Sequence, residues 1–220
     1  MLMLAQAAAA GKPSVFDIFI LGGGVIGYVI LLLSVVMMAL IITYFIQYRR
    51  TTIVPDAVRE QIQVMFENKQ YREAIDFTAA DTSFLAGTVN AALAEAGHGY
   101  PAMERALEEA AEDRTTRMLR HVEWLNLLGN IGPMLGLLGT VYGMIGAFFD
   151  IVEKGQPNPA DLAGNIGIAL VTTMQGLLVA IPALSFYSIM RSRIDSLTSS
   201  AMLTAQELIS NFRPGGKGGL

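Results

Sequence analysis

Residues Trp124–Phe149 read WLNLLGNIGPMLGLLGTVYGMIGAFF, without a single Lys, Arg, Asp or Glu between Glu123 and Asp150. Two further stretches are equally free of charge, Ile18–Tyr48 and Leu162–Met190. A helix that crosses a bilayer needs about 20 consecutive apolar residues, and each of the three stretches is longer than that. The sequence therefore predicts an all-α membrane protein with three transmembrane helices.

The composition of the whole chain agrees with a membrane protein. Hydrophobic residues make up 53% of the 220 residues and charged residues only 15%, whereas about 25% charged residues are usual in a soluble domain. The net charge of −4 argues against a nucleic-acid partner, because nucleic-acid binding needs a basic surface. The chain has no Cys, which excludes disulfides, thiolate metal sites and Cys nucleophiles.

Positive charges at the ends of the stretches predict their orientation, since Lys and Arg accumulate on the cytoplasmic side. Arginines follow the first stretch, precede the second and follow the third: Arg49, Arg50, Arg114, Arg117, Arg120, Arg191 and Arg193. The connection 150–161 holds three acids and one Lys, and segment 1–17 has Lys12 as its single basic residue. We expect segment 1–17 and loop 150–161 to be periplasmic, and segments 49–123 and 191–220 to be cytoplasmic.

The charged segment 49–123 is expected to be helical, because its apolar residues recur with a period near 3.6. These residues are Val58, Ile62, Met65, Phe66, Tyr71, Ala74, Ile75, Leu85, Val89, Ala92, Leu93 and Ala96. From Pro101 the chain enters the second span without a helix breaker, and residues 192–212 after the third span lack Gly and Pro. Long helical extensions of both spans are predicted, with a Gly-rich tail and no globular domain large enough to act alone.

Catalysis is not predicted. An intramembrane protease needs a Ser–His pair or two Asp within the bilayer, and the three stretches contain no acid, base or His. His98 and His121 both belong to segment 49–123. We therefore expect no enzyme, no metal site and no cofactor. Charge movement through a membrane generally uses an ionisable residue inside it, so an ion pathway here would need a titrating group from another polypeptide.

Small residues recur every three or four positions in the second and third spans. They include Gly132, Gly136, Gly139, Gly143, Ala169, Gly176, Ala180 and Ala183. Small residues on one face let membrane helices approach each other closely. The pattern predicts tight helix packing and by itself requires no further function.

Two threonines are predicted to lie at a similar depth in the membrane. Thr140 lies nine residues before the outer end of the second span, about 14 Å, and Thr173 eleven residues after the outer start of the third, about 17 Å. Such hydroxyls either hydrate a pathway or bond to a partner's carboxyl group, or they donate to a backbone carbonyl of their own helix without further function. The spacing leaves both alternatives open. If the hydroxyls belong to an ion pathway, Thr172, Gln175 and Asn165 near the same region are expected to line it as well.

One segment of the second span and one of the third each have a specific spacing of Pro, Gly and Thr. Residues 133–145 read PMLGLLGTVYGMI and residues 169–182 read ALVTTMQGLLVAIP. Their order is Pro-x2-Gly-x2-Gly-Thr and then Thr-x2-Gly-x5-Pro. With these segments, roughly residues 101–195 resemble the ExbB/TolQ/MotA proton-channel family. Three spans with a large first cytoplasmic loop resemble its ExbB/TolQ branch.

The resemblance implies a homopentamer in the bacterial inner membrane, with the second and third spans around a pore and the first span outside. It also implies two copies of a single-span ExbD/TolR-like partner inside the pore, each with a proton-carrying Asp, and a TonB/TolA-like protein beyond them. Thr140 and Thr173 match the family's pore threonines, and Pro133 and Pro182 match its prolines. One position departs from the pattern, since Ile168 stands where the family usually has Glu.

The function implied by the resemblance is that of a pore-forming motor subunit. Driven by the proton motive force and embedded in membrane lipids, it would energise outer-membrane or envelope processes such as TonB-dependent transport. A second class also remains open: a non-conducting membrane scaffold or secretion-complex component that uses its glycine faces only for packing. A neighbouring gene for a single-span protein with a membrane Asp would favour the motor.

Overall fold

The computed structural model describes residues 19–20, 22–155 and 159–213. The described helices are α1 Gly24–Gln47, α2 Arg50–Ile53, α3 Asp56–Glu67, α4 Tyr71–Ala80, α5 Phe84–Ala94, α6 Tyr100–Lys154 and α7 Pro159–Ile209. Short 3-10 turns at Ala96–His98 and Ser210–Phe212 complete the assigned elements. This part of the chain contains no strand, and the all-α prediction is confirmed.

Three of the described helices, α1, α6 and α7, are long and apolar enough to cross a membrane. The uncharged stretch 124–149 lies within α6, and the stretch 162–190 lies within α7. The prediction of a membrane protein with three spanning helices is confirmed.

Helix α1 begins later than the uncharged stretch that predicted it. Gly22 and Gly23 form a turn, and Gly24 has a φ of 58°. This left-handed conformation is readily adopted only by glycine, which lacks a Cβ. The run of three glycines therefore interrupts the helix expected over 18–48, and the regular part starts at Gly24. Ile18 lies outside the described residues.

Helices α6 and α7 continue far beyond their apolar parts. Helix α6 includes Pro133 and α7 includes Pro182 without a break in the assigned helix. On the charged part of α6, Arg117 Nε lies 2.9 Å from Asp113 Oδ2, an i,i+4 pair that stabilises an exposed helix modestly. The long helical extensions are confirmed.

The described residues divide into two compact units. Residues 19–42 and 123–188 form the first, here called the apolar unit, and residues 43–122 and 189–213 form the second, here called the extension unit. The apolar unit contains most of α1 and the uncharged parts of α6 and α7. The extension unit contains α2 to α5 and the charged ends of α6 and α7.

The extension unit has its own hydrophobic core. Its buried residues from α3, α5, α6 and α7 include Val58, Ile62, Phe66, Leu85, Val89, Leu93, Met103, Leu107, Ala201, Ala205 and Ile209. The helical period predicted the contributions of α3 and α5. It did not predict the compact unit, because α7 closes this core from more than a hundred residues further along the chain.

Leu85→Ala is expected to destabilise the extension unit by about 2–5 kcal/mol, because the leucine is fully buried and a cavity would remain. The measurement is the thermal midpoint of the detergent-extracted chain, followed by circular dichroism. Leu203→Ala serves as the matched control, since Leu203 belongs to the same unit and is 65% exposed. Equal midpoints for the two variants would contradict the assigned core.

Candidate functional site

Glycines of α6 lie directly against α7 in the apolar unit. A Cβ placed on Gly132 would lie 2.9 Å from the carbonyl oxygen of Gly176, and one on Gly143 would lie 2.7 Å from that of Asn165. A Cβ on Gly136 would lie 3.1 Å from the carbonyl oxygen of Thr172. Because backbone atoms cannot rotate away, a side chain at Gly132 or Gly143 would push the helices apart, and one at Gly136 would require a smaller shift.

Small residues also lie on the α7 side of this contact, opposite the glycines of α6. A Cβ on Gly176 would lie 2.5 Å from the carbonyl oxygen of Gly132 and 3.2 Å from the Cα of Gly136. A Cβ on Gly139 would overlap the side chain of Thr172. The structure thus places all five glycines singled out in the sequence at the α6–α7 contact. Gly167, by contrast, has nothing within 4 Å of its Cβ position.

The Thr173 hydroxyl lies at this contact. Its Oγ1 is 3.2 Å from the carbonyl oxygen of Ala169 on its own helix and 3.4 Å from that of Gly136 on α6. Thr140 donates to the carbonyl oxygen of Leu137 at 2.6 Å. Gly136 precedes Thr140 by one helical turn, so both hydroxyls lie within about one turn of each other along α6. Both threonines are partly exposed in the isolated chain.

Thr172 is placed differently from its neighbour. Its side chain is fully buried, and Oγ1 lies 3.0 Å from the carbonyl oxygens of Ile168 and Ala169, both on α7. Gly139 makes room for it on α6. Thr172 is therefore enclosed between the two helices, with its hydroxyl bonded to its own backbone.

Gln175 connects the third apolar stretch to the first. Its side chain is fully buried, and Nε2 donates to the carbonyl oxygen of Phe19. A Cβ on Gly27 would lie 2.8 Å from Gln175 Oε1, so this glycine admits the amide. Within the described part of the chain, Oε1 has no hydrogen-bond partner.

Asn165 lies at the other end of the α6–α7 contact. Its Nδ2 donates to Asp150 Oδ2 at 2.7 Å, which ties the start of the third stretch to the end of the second. Both residues are partly exposed. The sequence analysis did not predict this hydrogen bond and included Asp150 only among the three acids of the connecting loop. Nothing in a linear pattern indicates that its carboxylate meets an amide fifteen residues later.

Ile168, the position at which the resemblance implies Glu, lies near the start of α1. Its Cγ2 is 3.7 Å from the Cβ position of Gly24. A carboxylate at position 168 would therefore stand next to the start of the first helix.

Within the three uncharged stretches, the site offers hydroxyls and carbonyls but no charged side chain. Pro133 and Pro182 each remove one backbone donor inside a helix. The three uncharged stretches hold no acid, base or histidine. Among the described residues there is no cluster of His, Asp and Glu that could hold a metal ion. Such an arrangement can accept or relay a hydrogen bond but cannot itself change charge.

Comparison with known proteins places this site in a family. Residues 76–202 match the MotA/TolQ/ExbB proton channel family. The chain is 32% identical over 115 residues to the biopolymer transport protein ExbB of Xanthomonas campestris pv. campestris (strain B100), covering 52% of this chain and 46% of that protein. It is 36% identical over 81 residues to ExbB of Neisseria gonorrhoeae, 37% of each chain. It is 40% identical over 62 residues to exbB1 of Vibrio cholerae serotype O1, 28% of this chain and 27% of that protein.

The chain spans less than half the length of these relatives. The family match nevertheless covers more than half of the chain, including both threonines, the glycine contact and the two helical prolines. The chain belongs to the MotA/TolQ/ExbB proton channel family, in which it is similar to the ExbB branch.

Proposed function

We propose that this chain is the pore-forming subunit of an inner-membrane motor that is driven by the proton motive force. The motor energises outer-membrane or envelope processes, such as TonB-dependent transport. The observation that carries the proposal is the partly exposed Thr173 hydroxyl at the glycine-lined α6–α7 contact, within stretches that hold no ionisable side chain. Membership of a proton channel family supports it.

The titrating group comes from a partner in this proposal. The partner is an ExbD/TolR-like protein with one span and a membrane Asp, present in two copies inside a homopentamer of this chain. A TonB/TolA-like protein passes the work onward. The N-terminus is periplasmic and the C-terminus cytoplasmic, as the arginines at the ends of the stretches indicate.

The hydroxyls of Thr140 and Thr173 favour the neutral form of the partner's acid. A threonine hydroxyl has one proton and two lone pairs. The protons of both threonines are already directed to backbone carbonyl oxygens, which leaves the lone pairs as acceptors. A protonated carboxyl group can donate to them. A carboxylate finds no donor unless a hydroxyl first gives up its backbone bond.

This difference couples protonation to movement. Protonated Asp is stabilised beside the threonines, and deprotonated Asp is not, so loss of the proton drives the partner helix away from this level. Each charge that crosses the membrane supplies about 2.3 kcal/mol per 100 mV. That energy exceeds the thermal energy several-fold and biases the steps in one direction.

The other polar residues of the site receive different roles. Thr172 and Gln175 are buried within the chain, so we assign them to helix packing and not to the pathway. Asn165, with its bond to Asp150, lies at the periplasmic end of the contact. We assign it to the path by which protons reach the threonines. The five glycines bring α6 and α7 together, and Pro133 and Pro182 free backbone carbonyl groups inside these helices.

The test is proton flux into liposomes that contain this chain with and without its single-span partner from the same genome. We expect flux only when both are present, and none when the partner's membrane Asp is replaced by Asn. A stable complex that conducts no protons under a pH gradient would contradict the motor and favour the scaffold.

The native mass of the detergent-extracted chain provides an independent check. A pentamer is expected for the chain alone, since the ring has to leave room for the partner. A monomer or dimer would remove the basis for a central pore.

A further inference from the structure

A cavity in the extension unit is lined by basic and hydroxyl-bearing side chains. Its volume is about 390 Å³, within the range of about 300–1,000 Å³ that is usual for small-molecule sites. The polar side chains that line it are Gln47, Tyr48, Thr52, Thr82, Arg114, Arg117 and His121. None of the described residues in its lining is Asp or Glu. The cavity therefore offers positive charge and hydrogen-bond donors, which are the groups that recognise an anion.

The Arg114 guanidinium occupies space that is left free by the missing side chain of a glycine. A Cβ on Gly87 of α5 would overlap the guanidinium, so the absence of a side chain at Gly87 admits it. Arg114 is partly exposed, and within the described part of the chain no carboxylate pairs with it. A positioned guanidinium without a carboxylate is available for another anion.

Arg117 and His121 lie on the same helix, one and two turns further along. Arg117 pairs with Asp113, but its side chain is 72% exposed and the pair is weak, so the guanidinium can turn to a stronger anion. The Tyr48 hydroxyl lies 3.1 Å from His121 Nδ1, and Tyr48 is only 2% exposed. This contact holds the imidazole at the cavity wall.

The lining of the cavity adjoins the ends of two uncharged stretches, where we expect the chain to leave the bilayer. Tyr48 directly follows Gln47, the last residue of α1, and His121 stands three residues before the uncharged stretch that begins at Trp124. Lipid headgroups occupy this level, and basic pockets at such positions bind anionic headgroups.

We propose that this cavity binds a phosphate group, supplied by an anionic phospholipid headgroup or by free phosphate, through Arg114 and Arg117. A guanidinium matches the geometry of phosphate oxygens with two parallel donors. Thr52 and Thr82 supply neutral donors around the charged pair. The inference concerns the extension unit and does not depend on proton conduction by the apolar unit.

The test measures binding to the full-length chain in a neutral detergent after its native lipids have been washed out. The probes are phosphatidylglycerol, inorganic phosphate and, as the uncharged lipid control, diacylglycerol. Arg114→Gln and Arg117→Gln are each expected to weaken phosphatidylglycerol binding about tenfold, because one charge-assisted hydrogen bond is lost. Arg120→Gln is the matched control, an exposed arginine of α6 that does not line the cavity.

The two sources of phosphate give different outcomes. Inorganic phosphate that competes with phosphatidylglycerol, with the same dependence on Arg114 and Arg117, supports a site for the free anion. Phosphatidylglycerol binding without competition supports a headgroup site. Binding that is equal in all three variants, or absent for both phosphate probes, overturns the proposal. Because the side chain of Arg117 is exposed, we expect Arg117→Gln to fold normally, so it can test the proposal even if Arg114→Gln does not fold.

Discussion

Thr173→Val is expected to reduce partner-dependent proton flux about a hundredfold or more, the usual range for loss of one group from a proton-transfer step. Valine has almost the same shape as threonine, so the α6–α7 contact should persist. What is lost is the oxygen that accepts from a protonated carboxyl group. Thr140→Val is expected to act in the same direction, because its hydroxyl lies about one turn away and is also directed to a backbone carbonyl.

The measurement is proton uptake by liposomes that contain the complex, with the native mass of each variant complex recorded in parallel. Thr172→Val is the control, since this neighbouring hydroxyl is buried and bonds only to carbonyls of its own helix. We expect normal flux from Thr172→Val and a normal native mass for all three variants. Wild-type flux in Thr140→Val and Thr173→Val would mean that these hydroxyls serve packing alone.

The sequence alone does not predict this difference between the adjacent Thr172 and Thr173. Spacing predicted a similar depth for Thr140 and Thr173 and left their role open. Thr172 was expected to line the same pathway as its neighbour. The rotation of α7 about its axis decides which of the two consecutive hydroxyls is enclosed. That rotation depends on the contact with α6, where Gly139 accommodates Thr172 and Gly136 meets Thr173.

The long helices were predictable because their signals are local. Charge-free length identified three spanning helices, and the absence of Gly and Pro indicated that the third continues beyond its apolar part. Contacts between distant residues carried no such signal. Gln175 meets Phe19 across more than 150 residues, and Gly87 admits Arg114 from another helix. Each of these contacts depends on how helices pack, and a single sequence does not encode that in its periodicity.

Gly176→Ala is expected to destabilise the apolar unit by about 1–3 kcal/mol, the usual cost of overpacking a close contact. Alanine gains roughly 0.5–1 kcal/mol over glycine within a helix. The clash outweighs this gain, because the new methyl group would lie 2.5 Å from the carbonyl oxygen of Gly132 and neither group can rotate away. Gly176→Val should enlarge the effect. The thermal midpoint and the yield of oligomer after detergent extraction measure it.

Gly167→Ala on the same helix separates the clash from helix propensity. Nothing lies within 4 Å of the Gly167 Cβ position, so this variant should keep or slightly raise the midpoint. A Gly176→Ala midpoint that rises equally would contradict the close α6–α7 contact. The same contact sets the 3.4 Å separation between Thr173 Oγ1 and the Gly136 carbonyl oxygen. Helices moved apart at Gly176 would therefore also lose proton flux, since the threonine that accepts from the partner stands three residues away.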